Sequence, residues 1–194
     1  MSLDLTQCSD RELAALAQAG QQLAYREFLR RYKAPVFRLI RNNIGDPDEA
    51  MDLTQETFVA GFAALSRYDT DRPFRIWIAR IALNKCRDWA RRRTVRSFFA
   101  RALPLETAQD VAGDRPAPDA EAQDRAELAR VRAAISRLPL GLREILILRG
   151  VEELSQAETA ELLGISEKTV ETRLYRARAK LRTLLGEMPL RAKE

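Results

Sequence analysis

From Asp10 onward, apolar positions recur at spacings of three and four. Leu13, Leu16, Leu23, Phe28, Tyr32, Val36, Phe37 and Ile40 mark the inner face of successive amphipathic helices. The segment GDPDEA (45–50) interrupts the pattern and restarts it, with Asp46 placed as a helix cap and Pro47 at the first helical position. On the helix that follows, Met51, Phe58, Phe62 and Leu65 share a sector and are expected in the core. Asp52, Gln55, Glu56, Val59 and Ala63 share another sector. SRYDTDRP (66–73) is a second polar break, after which Phe74, Ile78, Ile81, Ala82 and Trp89 form the apolar face of a long helix. The periodicity vanishes between Glu106 and Glu127, where Pro116 and Pro118 oppose helix, and returns from about Leu128 to Leu185. No strand-like alternation of Val, Ile or Thr stands out. The pattern predicts an all-α protein of two small helical domains, residues 10–95 and 128–187, joined by a flexible linker, 96–127.

Composition agrees, since Ala, Leu, Arg and Glu dominate the 194 residues and all favour helix. Charge adds more, because its distribution is uneven around a net +5. Residues 71–101 carry ten basic side chains against Asp71 and Asp88, a net +8. Residues 106–127 carry seven acids against Arg115 and Arg125, a net −5. A basic field of that size favours a polyanion as partner. The 106–127 stretch reads as an acidic, flexible linker.

The chain has no histidine and two cysteines, Cys8 and Cys86, far apart. Cys/His zinc sites, Ser-His-Asp catalysis and Cys-His catalysis are therefore excluded, and a disulfide framework is not expected. No apolar run is long enough to span a bilayer, so a cytoplasmic protein without membrane insertion is expected. No metal, no cofactor and no small-molecule substrate are expected either.

LSQAETAELLGISEKTVETRLYRARAKL (154–181) carries a sharper signal. Ser155 and Glu158 form a capping box, Gly164 closes the short helix, and Ser166 caps the next. Ala160 is small where the two helices would cross. Val170, Leu174, Ala177 and Leu181 face inward; Lys168, Thr172, Tyr175 and Ala179 face outward, with Arg176 at the edge. This is a helix-turn-helix, with Arg173, Arg178, Lys180 and Arg182 placed for phosphates. A solvated amphipathic hairpin is the bland alternative, and the agreement among caps, turn and charge favours DNA.

In the long basic helix, Arg80, Asn84, Arg87 and Arg91 occupy a stripe only about 60° wide. Asparagine reads base edges and arginines hold the backbone. Taken alone, arginine stems covering apolar surface explain the stripe equally well; the surrounding charge favours a polyanion. The acidic-apolar face of Asp52, Gln55, Glu56 and Val59 suits a protein partner, against the alternative of an ordinary solvated face.

DLTQETFVAGFAAL, DRPFRIWIARIALNKCRDWARRR and the helix-turn-helix, in that order and spacing, resemble bacterial sigma factors of the extracytoplasmic-function group. The resemblance covers roughly residues 25–93 and 138–185. It implies a sigma region 2 bundle that docks on the β′ clamp helices of core RNA polymerase through Asp52, Leu53, Gln55 and Glu56. The same bundle would read and melt the −10 element with Tyr68, Arg80, Asn84, Arg87 and Arg91, the loop 66–73 capturing a flipped base. Trp77 would support that base or belong to the core. Region 4 would read the −35 element with Lys168, Thr172, Arg173, Tyr175, Arg176 and Arg178, although Glu171 stands at a position often basic in relatives. The acidic linker would thread through the polymerase's basic RNA path, mimicking nucleic acid, and the partners would be the β and β′ subunits of core polymerase together with promoter DNA. An anti-sigma factor, often membrane-bound in such systems, would hold the protein inactive until a stress signal. The protein would be a dissociable, non-catalytic subunit. A free-standing helix-turn-helix regulator is the second reading, and a helical enzyme the third.

Overall fold

The chain was described with a computed structural model, which covers residues 4–102 and 120–186; for 97–102 and 120–125 it describes backbone alone. Eight α-helices lie in the described residues: α1 (Asp10–Gln18), α2 (Gln22–Ile44), α3 (Pro47–Ala63), α4 (Phe74–Ala102), α5 (Ala120–Ser136), α6 (Leu140–Gly150), α7 (Gln156–Leu163) and α8 (Glu167–Leu185). No strand occurs among those residues.

Local chemistry sets the helix ends. Ser9 caps α1 in a reciprocal box with Glu12. Asp46 accepts from the Asp48 and Glu49 amides at the start of α3, with Pro47 behind it as expected. Gly45 ends α2 with φ +82°, a conformation that side chains with a Cβ resist. The expected edges of the linker differ from the observed helices. Helix α4 runs past residue 95 to Ala102, because 94–102 hold neither glycine nor proline. Helix α5 begins at Ala120, directly after the two prolines. The acidic stretch 106–119 lies outside the described residues.

Helices α1–α4 enclose an aromatic centre. Phe28 of α2 stacks on Phe74 of α4 with centroids 4.1 Å apart, and Tyr68 meets Phe74 edge-on at 5.4 Å. Helix α3 buries Ala50, Leu53, Thr54, Thr57, Phe58 and Gly61, a stripe of mostly small residues. Met51, expected in the core, is therefore turned outward, and Phe62 is half-buried. The buried threonines are satisfied within the helix, Thr54 donating to the Ala50 carbonyl at 2.7 Å and Thr57 to Leu53 at 2.6 Å. Gly61 lets α3 approach α4, since a Cβ there would stand 2.8 Å from Ile78 Cδ1.

Helices α6–α8 have a small core of their own, Ile145, Ala160 and Val170, flanked by Leu163, Ile165 and Leu174. They are not separate from the first bundle. Ile147, Leu148, Leu154 and Leu162 join the large apolar cluster built by α1–α4.

Candidate nucleic-acid interface

The helix-turn-helix forms as its sequence dictates. Ser155 and Glu158 make the capping box, Ser155 N–H donating to Glu158 Oε2 at 2.8 Å and Glu158 N–H to Ser155 Oγ at 3.1 Å. Gly164 closes α7 at φ +66°, and Ser166 accepts from the Thr169 amide. Val170 and Ala177 are fully buried, which turns Lys168, Thr172, Tyr175 and Arg176 to solvent. Tyr175 is 76% exposed, an unusual placing for an aromatic ring with no partner covering it among the described residues. Arg178 is exposed and Arg173 half-buried beside the same face. The whole expected set lies on one helix, α8, and its outward surface is open.

The α4 stripe also forms, but it is not open. Arg87 donates through Nε and Nη2 to the two carboxylate oxygens of Glu144 on α6, at 2.7 and 2.9 Å. Its third donor meets Asn84 Oδ1 at 3.1 Å. The Glu144 bond holds the Arg87 guanidinium above its ordinary pKa, so it stays charged throughout. Arg80 donates to the Glu161 carbonyl at 2.7 Å and to Leu162 at 3.3 Å. Those carbonyls belong to the last turn of α7, the negative end of the helix dipole. Arg91 pairs with Asp88 on its own helix. Two further arginines of the basic segment cross to α7, Arg72 to Glu161 at 2.8 Å and Arg75 to Glu158 at 2.7 Å. The acids Glu144, Glu158 and Glu161 were not legible as partners from the sequence, since they stand 57 to 89 residues away. The signal available was that the helix-turn-helix carries acids on its first helix.

Tyr68, expected at the −10 element, is turned inward here. Its ring is buried against Phe74 and Trp77, and its hydroxyl donates to the Arg72 carbonyl at 2.6 Å. Burial pushes its pKa up to about 12. It braces the loop from inside, so it offers no face to a base in this arrangement. Trp77 is half-buried in the same aromatic group.

On α3, Asp52, Gln55 and Glu56 are exposed together with Val59, 71% exposed. Leu53, expected on the same polymerase-facing surface, is buried, because it falls in the small-residue stripe that packs on the bundle. Glu56 accepts from Lys85 of α4 at 3.0 Å. Beside this face, α2 contributes Arg26, Leu29, Arg30 and Lys33 to a groove shared with Gln55, Phe58 and Val59. The α2 side of that groove was missed, because its members are adjacent only through packing.

No group of acids and cysteines that could hold a metal occurs among the described residues, and no described helix is long and apolar enough to cross a membrane.

Two family descriptions match the chain: Sigma-70 region 2 over residues 28–96 and Sigma-70 region 4 over residues 128–181. The chain is 44% identical to the RNA polymerase sigma factor CnrH of Cupriavidus metallidurans over 181 residues, 91% of this chain and 94% of that protein. It is 33% identical to the extracytoplasmic-function sigma factor SigM of Mycobacterium tuberculosis, over 92% of this chain and 85% of that one. Among solved structures it is similar to CnrH in complex with the cytosolic domain of CnrY, with a TM-score of 0.67 and 37% identity, covering 91% of this chain and 96% of the other.

Proposed function

Because the chain belongs to the extracytoplasmic-function sigma factors of RNA polymerase, we propose that its three surfaces divide promoter-specific initiation between them. As a sigma factor it joins core polymerase and directs transcription initiation. The exposed α3 face, Asp52, Gln55, Glu56 and Val59, docks on the polymerase. The α4 edge, Arg80, Asn84, Arg87 and Arg91, tracks and reads the melted −10 strand, arginines on phosphates and the asparagine on a base. The outward face of α8, Lys168, Thr172, Tyr175 and Arg176, enters the major groove of the −35 element, with Arg173 and Arg178 on the backbone. The protein supplies recognition and no chemistry of its own, and works in the cytoplasm.

Regulation by an anti-sigma factor belongs to the same proposal. Its support is the likeness to CnrH, which was solved bound to the cytosolic domain of another protein. A membrane-bound regulator would present such a domain to the α3 and α4 surfaces.

The observation that carries the assignment of surfaces is the pairing of an open, basic α8 face with the narrow α4 stripe in one chain. The test is transcription in vitro with purified core polymerase, this protein alone as sigma, and a library of promoter fragments from the native host. Run-off transcripts from a defined subset of fragments are expected. Tight duplex binding without any transcript would overturn the proposal.

A further inference from the structure

One charge on the DNA-facing helix runs against its neighbours. Helix α8 carries six basic side chains, Lys168, Arg173, Arg176, Arg178, Lys180 and Arg182, against two acids, Glu167 and Glu171. We infer that Glu171 is a base-reading residue that selects cytosine in the −35 element, its carboxylate accepting from the exocyclic amine of that base in the major groove. This rests on the outward face of α8 being the −35-reading surface.

The fold has no use for this carboxylate. Glu167 is accounted for, since it stands in the first turn of α8, directly after the Ser166 cap, where the helix dipole favours an acid. Glu171 lies one turn further on, beyond the reach of that effect. Four residues before it stands Glu167, a like charge on the same side of the helix. Four residues after it stands Tyr175, where a cation would have supported it. Glu171 is exposed and makes no hydrogen bond or ion pair with any described residue, Lys168 included. The neighbouring Thr172 spends its hydroxyl proton on the Lys168 carbonyl, 2.9 Å away. The acid therefore caps nothing, pairs with nothing and faces repulsion along its own helix.

Its position makes it unfavourable on DNA as well, unless a base donor meets it. At about 100° per residue Glu171 lies between Tyr175 and Arg178 on the wheel, away from the buried pole of Val170 and Ala177. It belongs to the N-terminal half of the second helix of the helix-turn-helix, the half that meets base edges in such motifs. Phosphates line both sides of the groove and repel a carboxylate, so an unsatisfied acid there weakens binding to every sequence alike. A hydrogen-bond donor on a base edge offsets that repulsion. In the major groove cytosine offers its N4 amine alone, and adenine offers its N6 amine beside the N7 acceptor. Guanine and thymine offer only acceptors, which oppose a carboxylate. Cytosine is favoured, adenine is second, and guanine and thymine are rejected. Rejection is the larger part, since it leaves a desolvated charge without a partner.

The test uses holoenzyme assembled from core polymerase and the full chain. Fragments are first selected from a pool of native-host promoter fragments, and one of them is then randomised across its −35 element and reselected. The natural protein should enrich cytosine at one position, on one strand, by about tenfold over guanine and thymine there. E171Q should move that preference to adenine, because an amide accepts from N6 and donates to N7. E171A should flatten the same position and leave the others unchanged. It should also bind cytosine-free fragments more tightly than the natural protein does. Identical selected sequences from the natural protein, E171Q and E171A would overturn the inference and make Glu171 an ordinary solvated side chain. A natural preference for guanine or thymine at the position that the substitutions alter would overturn it too. Recovery of no fragment, by holoenzyme with the natural protein and with E171A alike, would instead remove the −35-reading surface on which the inference rests.

Discussion

Arg87 on α4 and Glu144 on α6 form a two-pronged ion pair, 2.7 and 2.9 Å, that joins residues 57 positions apart and ties the second domain to the first. The carboxylate is buried while the guanidinium is about one-third exposed, so the pair sits at the rim of the seam. Arg87→Lys keeps the charge but loses the fork. In a double-mutant cycle with Glu144→Gln, read by urea denaturation, a coupling of about 1–2 kcal/mol is expected. A coupling indistinguishable from zero would show that the grip adds nothing to the seam.

Acid should destabilise the first domain through Glu27. This buried carboxylate accepts from Arg30 and Arg31 at 2.7 Å, and the Arg30 bond, reinforced by Arg31, brings its pKa from 4.5 to about 2 against the opposing effect of burial. The folded value lies below the unfolded one. The stabilisation is therefore complete above about pH 4.5 and is lost as pH falls toward 2. With Arg30 largely exposed, about 1–3 kcal/mol is expected from this group. Glu27→Gln should flatten the stability profile in that window; an unchanged slope in denaturation from pH 5 to pH 2 would place the acid sensitivity elsewhere.

Cys86 should be chemically silent. It is fully buried, and burial, with the nearby Glu144 carboxylate, pushes its thiol up to about 12. Iodoacetamide at neutral pH should label the partly exposed Cys8 at least about a hundredfold faster, with Cys86 labelled only after denaturation. Peptide mass mapping of alkylated native protein checks this, and comparable labelling at both sites would contradict the packing of α4.

Close approach of α3 and α4 should make Gly61 sensitive to size. Alanine gains about 1 kcal/mol of helix propensity and has only the mobile end of Ile78 to displace, so Gly61→Ala should be near neutral. Gly61→Val should cost about 2 kcal/mol or more, since Trp77 and Ile81 also stand within 4 Å. Thermal melting of the two variants separates them; equal stability would mean the helices part freely.

Asn84→Ala should impair promoter opening, about tenfold, while leaving affinity for core polymerase unchanged. Replacing Gln55 and Glu56 together should do the reverse, weakening core binding with opening intact once the complex is saturated. Permanganate footprinting and fluorescence titration with core polymerase read the two effects. A crossed result would reassign the faces.

Much of this was legible along the chain. The caps at Asp46, Ser155 and Ser166, the glycine turn at Gly164 and the inward face of α8 follow from groups within four residues of one another. The α4 stripe follows from helical periodicity alone. Side-chain size misled at α3, where Met51 points outward while Thr54, Thr57 and Gly61 are buried, because close helix approach selects small residues over apolar ones. Tyr68 and Leu53 turned inward for related reasons, one filling the aromatic centre and the other the packing stripe.

The sequence by itself determined which segments are helical, where the capped ones start and stop, and which faces carry charge, since these depend on hydrogen bonds and spacing within a turn or two; the helix ends beside the linker, α4 running to Ala102 and α5 starting at Ala120, were not among them. Only the tertiary structure decided what those faces meet. The stripe Arg80–Asn84–Arg87 reads the same whether solvent, DNA or Glu144 lies opposite it. An ion pair 57 residues apart exists only once apolar burial of Ile147, Leu148, Leu154 and Leu162 has brought the two helices together.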